Sequence, residues 1–316
     1  MSASITFMDA EAVRAALSYR DCIPLMREAM AALSSGEVIQ SLRSFLPVGD
    51  SGTFAMMPAV MPKTFGAKLV SVYPDPENHG SRRHQGLVIL FDRASGAPVF
   101  VGDAEEITRI RTAAASAAAT DALARKDAQV LTIIGTGVQA KAHILALSAV
   151  RDIQQVRIWG RDADKAREIA SIVTAGCQIE TIACPSLEQA CEGADIVCTT
   201  TAAREPFLSA AHIGAGCHVN LVGSSGPSTA EALPDLVGKA QFFGDHREHV
   251  LAHGGEFLRA KFDGLIDDSH FIAEIGTVYS GAHAGRTDDQ AITIYKSLGH
   301  ATQDLACAAW LLARHG

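Results

Sequence analysis

The chain has 316 residues, enough for two domains of ordinary size that each bury their own core. Its 27 Lys and Arg stand against 35 Asp and Glu, a formal net charge of −8, with no basic block to track a phosphate backbone, which argues against nucleic acid as a partner. There is no run of about 18 or more apolar residues, and the opening "MSASITFMDAEAVRAAL" lacks the basic flank and apolar core of a signal peptide, so the expectation is a soluble, cytoplasmic protein with no membrane partner.

The first 40 residues read as helical, "MDAEAVRAAL" and "DCIPLMREAMAAL" carrying apolar residues at spacings of three and four. From residue 41 the character changes to β-like runs, "SFLPV", "TFAMMPAV", "FGAKLVSVYP", "GLVILFD" and "APVFVGD", separated by Gly, Pro and Asp turn signals. These predict a mainly antiparallel first domain. "EEITRIRTAAASAAATDALAR" reads as a helix whose small residues permit close packing, and it bridges to a second pattern of alternating strand and helix: "VLTIIG", "KAHILAL", "VRIWG", "ADKAREIASIV", "IETIA", "SLEQACEGA", "DIVCTTT", "HVNLVG", "QFFGD". That order predicts a parallel sheet covered by helices on both faces. The tail, "DDQAITIYKSLGHATQDLACAAWLLARHG", returns to a long helical pattern expected to pack on the first domain.

Seven cysteines form no C-x-x-C pair, and their odd count and wide spacing point to reduced thiols. Cys177, Cys184, Cys191 and Cys198 recur every seven residues, but the segment reads as mixed strand, loop and helix, so they share no helical face. His246, His249 and His253 in "DHREHVLAH" fall on one helical face; nothing like H-E-x-x-H accompanies them, and no metal is expected.

In "IIGTGVQA" the spacing is G-x-G-x-x-A at Gly135, Gly137 and Ala140, set between a strand and a helix within a βα series. The first glycine permits the tight turn, the second lets backbone approach a pyrophosphate, and the small third residue allows helix to pack on strand. The helix start directs free N–H groups at the phosphates. At the end of the next strand, "VRIWGRD", Gly160 occupies the place of the acid that grips the ribose of NAD, and Arg161 follows. The expectation is NADP(H), with Asp162 keeping NAD(H) possible.

Three cations in the first domain, Arg43, Lys68 and Arg111, lie among apolar or small residues, where an unpaired charge is costly to bury. A substrate carboxylate would supply the partner. The planar fork of Arg suits it, and a partly dry Lys has a lowered pKa and exchanges a proton near neutrality.

"RSFLPV", "FGAKLVSVYP", "HQGLVILFD", "TRIRTAAASAAAT", "IIGTGVQA", "VRIWGRD", "HVNLVGSSGP" and "YKSLG" occur in an order that resembles the ornithine cyclodeaminase and mu-crystallin family over nearly the whole chain. The resemblance implies an α/β fold: a Rossmann-type doubly wound parallel sheet over 119–291, with an α+β substrate-binding and dimerisation domain over 1–118 and 292–316. It also implies a homodimer built on the first domain's sheet. Arg43, Lys68 and Arg111 match catalytic, carboxylate- and substrate-binding positions; His84, Gln85 and Ser225 match substrate positions. Cofactor-binding positions match Thr112, Gly135, Thr136, Gly137, Val138, Gln139, Arg161, Asp162, Thr199, Thr200, Thr201, Val222, Gly223, Ser224, Lys296 and Ser297.

The departure is Ser225, where cyclodeaminases carry an Asp that deprotonates the substrate amine; a serine is no base at neutral pH. The resemblance then implies an NAD(P)H-dependent reductase of 2-imino acids, of the pyrroline- or piperideine-2-carboxylate type. The alternatives are an open-chain imino acid reductase or dehydrogenase of the alanine or iminosuccinate type, a cyclodeaminase-type lyase, and a non-catalytic binder. Arg82 and Arg83 are candidates for a second substrate carboxylate.

Overall fold

The computed structural model describes residues 5–73, 84–177 and 179–315. The chain divides into two units, Met1–Arg111 with His300–Gly316 and Thr112–Gly299, the boundary falling inside helix Ala104–Leu123.

The first unit holds β1 (Thr6–Met8), β2 (Ile39–Gln40), β3 (Ser44–Val48), β4 (Gly52–Val60), β5 (Thr64–Val72), β6 (His84–Asp92) and β7 (Pro98–Asp103). They form one sheet in the order β1-β7-β6-β5-β4-β2, with β3 also on β4; only β1 and β7 pair in parallel. Strand alternation sorts the side chains onto two faces. Ala55, Met57 and Ala59 of β4 are buried, as are Lys68 of β5 and Val88 and Leu90 of β6. Helix Ala301–His315 lies across β4 to β7 on this side and packs against helix Tyr19–Ser34. Ser18 caps the latter by accepting the N–H of Asp21 at 3.2 Å. The opposite face is apolar and only half-buried, with Phe54, Met56, Phe65, Leu69, Ile89 and Phe91 in facing registers. Phe65 and Phe91 stack there with centroids 5.1 Å apart.

The second unit holds eight parallel strands, β8 (Val130–Ile134), β9 (Gln155–Trp159), β10 (Glu180–Ala183), β11 (Ile196–Thr199), β12 (His218–Leu221), β13 (Gln241–Gly244), β14 (Phe271–Glu274) and β15 (Thr293–Lys296). Their order is β10-β9-β8-β11-β12-β15-β13-β14. The chain winds outward from β8 through β9 to β10, then restarts on the other flank with β11. The carboxyl ends of β8 and β11 therefore frame a topological switch point, where ligands of open parallel sheets bind. The doubly wound α/β class is as expected.

Three details depart from the pattern reading. Thr6–Met8, within the stretch read as helical, is a strand on β7. Thr293–Lys296, within the tail read as helical, is β15, lying between β12 and β13. It is a four-residue run buried on both faces, too short to show a period. In consequence the second unit extends through Gly299 instead of ending at 291, and it begins at Thr112 instead of 119. No helix among the described residues is long and apolar enough to cross a membrane.

Candidate active site

In the first unit, Lys68 sits at the centre of β5, in register with Met57 on β4 and Val88 on β6, and points toward helix Ala301–His315. Its Nζ lies 3.2 Å from Asp304 Oδ1 and donates to the Thr108 hydroxyl at 2.5 Å. Arg111, one turn after Thr108, reaches the same carboxylate: Nε donates to Asp304 Oδ1 at 3.1 Å, and Nη1 donates to Gln303 Oε1 at 2.8 Å. Lys68 and Arg111 are 6% and 4% exposed and Asp304 is fully buried, so two buried cations share one acid. Burial pushes the Lys68 ammonium down to about 8; Asp304 opposes that shift, while Arg111 and Arg43 reinforce it. Arg43 lies where the chain steps from β2 to β3 along the edge of β4, half-buried and close enough to act on Lys68.

The three cations singled out in the sequence thus fall in one electrostatic neighbourhood. Gln85 does not join them: it pairs with Ser71, is exposed, and stands on the opposite face of the sheet from Lys68. His84 pairs with Val72 in β6, but its side chain lies outside the described residues, as do Arg82 and Arg83.

In the second unit, β8 is followed by Gly135, whose φ of 128° is open to glycine and strained for other residues. An added Cβ there would sit 2.7 Å from the Thr200 hydroxyl. Gly137 is the N-cap of helix Val138–Ser148, with no side chain capping the helix and open space where a Cβ would stand. Val138 is 71% exposed at the first turn, and Ala140, the small third residue of the motif, is fully buried. Free N–H groups, an uncrowded glycine and an exposed apolar residue at one helix start fit a dinucleotide pyrophosphate. His143 anchors this helix: Nδ1 lies 2.8 Å from the Gln139 carbonyl and Nε2 3.0 Å from the Ser116 hydroxyl. Thr112, one turn before Ser116, is buried.

Gly160 follows β9, and an added Cβ would meet Thr136 Cγ2 at 2.7 Å. Arg161 is exposed. Asp162 Oδ1 accepts the N–H groups of Asp164 and Lys165, each at 3.1 Å, capping helix Ala163–Cys177. Those backbone bonds hold its carboxyl below the usual range.

Thr199 to Thr201 leave β11 and Val222 to Ser225 leave β12; Ser225 is exposed. Lys296 ends β15, fully buried, and Ser297 donates its N–H to the Leu221 carbonyl at 3.0 Å. Apart from Thr112, which lies on helix Ala104–Leu123, the cofactor residues read from sequence fall at or just after the carboxyl ends of β8, β9, β11, β12 and β15.

Sequence reasoning missed four acids: Asp304 beneath the cations, and Glu231, Glu256 and Asp245 in the second unit, all fully buried. Asp304 carried a signal, since Ala301, Ala308 and Leu311 on its helical face are all buried and apolar. His246, His249 and His253 stack edge to face, with centroids 5.2 and 6.4 Å apart. His249 is buried, 3% exposed.

The chain is 35% identical over 315 residues to the mouse (Mus musculus) ketimine reductase mu-crystallin, covering 98% of this chain and 96% of that protein. The structure of Thermococcus litoralis Δ1-pyrroline-2-carboxylate reductase in complex with NADH and L-proline superposes with a TM-score of 0.93 at 30% identity, covering 98% of this chain and 97% of that one. An archaeal alanine dehydrogenase dimer with bound NAD superposes with a TM-score of 0.93 at 31% identity, covering 98% and 95%. The model of the ornithine cyclodeaminase/mu-crystallin family matches residues 4–314, and the chain belongs to that family.

Proposed function

We propose that this protein is an NAD(P)H-dependent reductase of 2-imino acids, delivering hydride to a ketimine carbon next to a carboxylate, with pyrroline- or piperideine-2-carboxylate as the substrate type. The observation that carries the reading is the Lys68–Asp304–Arg111 set, in which two buried cations share one acid and the surplus positive charge suits a substrate carboxylate. The names of the mouse and Thermococcus relatives support the imine and the five-membered ring, since reduction of pyrroline-2-carboxylate yields proline. Bound reduced nicotinamide supplies the hydride. Arg43 and Arg111 hold the carboxylate, and Lys68, lowered by burial to about 8, keeps the imine nitrogen protonated so that its carbon accepts hydride. Ser225 argues against the cyclodeaminase alternative.

NADP(H) is the favoured cofactor. Thr136 fills the space that an acid at position 160 would need, Asp162 is engaged as a helix cap, and Arg161 is left to meet a ribose phosphate. The protein works as a homodimer through the half-buried apolar face of the first unit's sheet, a reading supported by the dimeric archaeal relative. Seven free cysteines fit the reducing cytoplasm.

The test follows loss of reduced-nicotinamide absorbance with NADPH and NADH against cyclic 2-imino acids, pyruvate or oxaloacetate with ammonia, and ornithine. Turnover of a cyclic ketimine with NADPH is expected. Turnover confined to the open-chain pairs would reassign the substrate to the alanine or iminosuccinate type. Ammonia release from ornithine without net cofactor consumption would overturn the reductase reading.

A further inference from the structure

In the second unit, the segments leaving β11 and β12 are tied to one fully buried acid. One Glu231 oxygen accepts the Thr201 N–H at 2.8 Å and the Thr201 hydroxyl at 2.7 Å; the other accepts the Thr199 hydroxyl and the Gly223 N–H, each at 2.7 Å. The Thr201 hydroxyl itself accepts the Ala203 N–H at 3.2 Å, which leaves its own proton for Glu231. With a backbone N–H on each oxygen and a hydroxyl beside each, the donor set fits a carboxylate. Glu256, also fully buried, accepts the Glu231 N–H at 3.0 Å and lies 2.9 Å from Lys296 Nζ. Lys296 completes the set by donating to the Ser224 carbonyl at 2.6 Å.

Two carboxylates and one ammonium leave a surplus negative charge in the interior. Removing such a charge from water is expensive, and burial pushes Glu231 up while Lys296 opposes the shift. The trio holds Thr199, Thr201, Gly223 and Ser224, all matched above to cofactor positions by the family resemblance, which sets Gly223 and Ser224 beside the nicotinamide.

We infer that Glu231, Glu256 and Lys296 form a positioning and electrostatic device for the nicotinamide end of the cofactor, their surplus negative charge favouring the oxidised, cationic ring over the reduced, neutral one. The inference rests on the proposed cofactor reading. In hydride transfer a C–H bond of the reduced ring breaks, its electron pair and hydrogen form the new C–H bond at the imine carbon, and the oxidised ring is left with one positive charge. A fixed anion aimed at that charge lowers the barrier without reorganising.

The test is equilibrium titration of the intact protein with NADP+ and with NADPH. Glu256→Gln neutralises the surplus charge while keeping an amide oxygen for the Glu231 N–H and all four bonds to Glu231. It is expected to weaken NADP+ about fivefold relative to NADPH, the size of effect one charge exerts across a partly screened interior. Glu231→Gln should shift the ratio in the same direction, and Glu231→Asp should restore most of it. An equal loss for both cofactor forms, or no change in either, overturns the electrostatic role. Should the unaltered protein bind neither dinucleotide, the cofactor reading fails and this inference with it.

Discussion

The first unit buries two cations, Lys68 and Arg111, around the single carboxylate of Asp304; the second buries two carboxylates, Glu231 and Glu256, around the single ammonium of Lys296. The supporting frames differ as much as the signs. The cations stand on a strand and a helix, with side chains converging on the acid, whereas the anions hold backbone and hydroxyl groups at strand ends. A surplus positive charge draws in a ligand that arrives negative. A surplus negative charge has no such use toward a dinucleotide's phosphates, so its value lies in a positive charge that appears later. On the proposed function, the first set serves substrate capture and the second the cofactor.

Breaking the first set should have the largest effect. Asp304→Asn leaves Lys68 and Arg111 buried without their acid and should cost about 3–5 kcal/mol of stability in denaturant titrations, with turnover lost alongside. Unchanged stability would show that the cations find another partner.

Lys68→Met should lower kcat by about 10²–10⁴-fold while leaving the cofactor Kd within about twofold, which separates the two sets cleanly. The pH profile sharpens the point. Below about 8 Lys68 is protonated and can serve the imine, so kcat/KM should fall as pH rises through about 8. A bound carboxylate favours the ammonium, so the limb in kcat should lie higher. Lys68→Met should abolish the limb, and a persisting limb would assign the titration to another group.

The second unit should be the more acid-sensitive. Burial holds His143 down to about 4 and His218 down to about 3, so both are neutral when folded. The unfolded chain takes up protons first as pH falls below about 6.5. Stability present above that pH is therefore lost toward pH 4, on the order of 3 kcal/mol for His143 alone. Hydrogen exchange should show β12 amides losing protection at a pH where β5 amides keep theirs.

Arg161→Ala tests the smallest difference. It should raise the KM for NADPH about tenfold and leave NADH nearly unchanged. Equal effects on the two would make Arg161 a bystander.

The cations and the glycine turn were legible because each breaks its local pattern: a charge in an apolar strand, two glycines at a strand-to-helix junction. The parallel sheet was legible because strand and helix alternate along the chain. The acids were not, because what makes them matter is distant in sequence. Asp304 meets Lys68 across 236 positions, and Glu231 reaches Thr199 across 32. Alone in "STAEAL" or "GGEFLRA", Glu231 and Glu256 look like solvated helix residues. β15 escaped for a related reason: a strand buried on both faces shows no alternation, and four residues are too few to outvote the helical pattern after them.

Asp304 has one more consequence. On the proposed function, Asp304 already neutralises one of its two cations, so the substrate site it underlies would recognise formal charge ahead of shape. An imine whose acid is masked as an amide or ester would keep its ring, its size and its reactive carbon, and would still be refused, because it leaves the remaining cation dry and unanswered. Discrimination of this kind is indifferent to ring size, so one such pocket can accept a range of imino acids while rejecting every neutral look-alike.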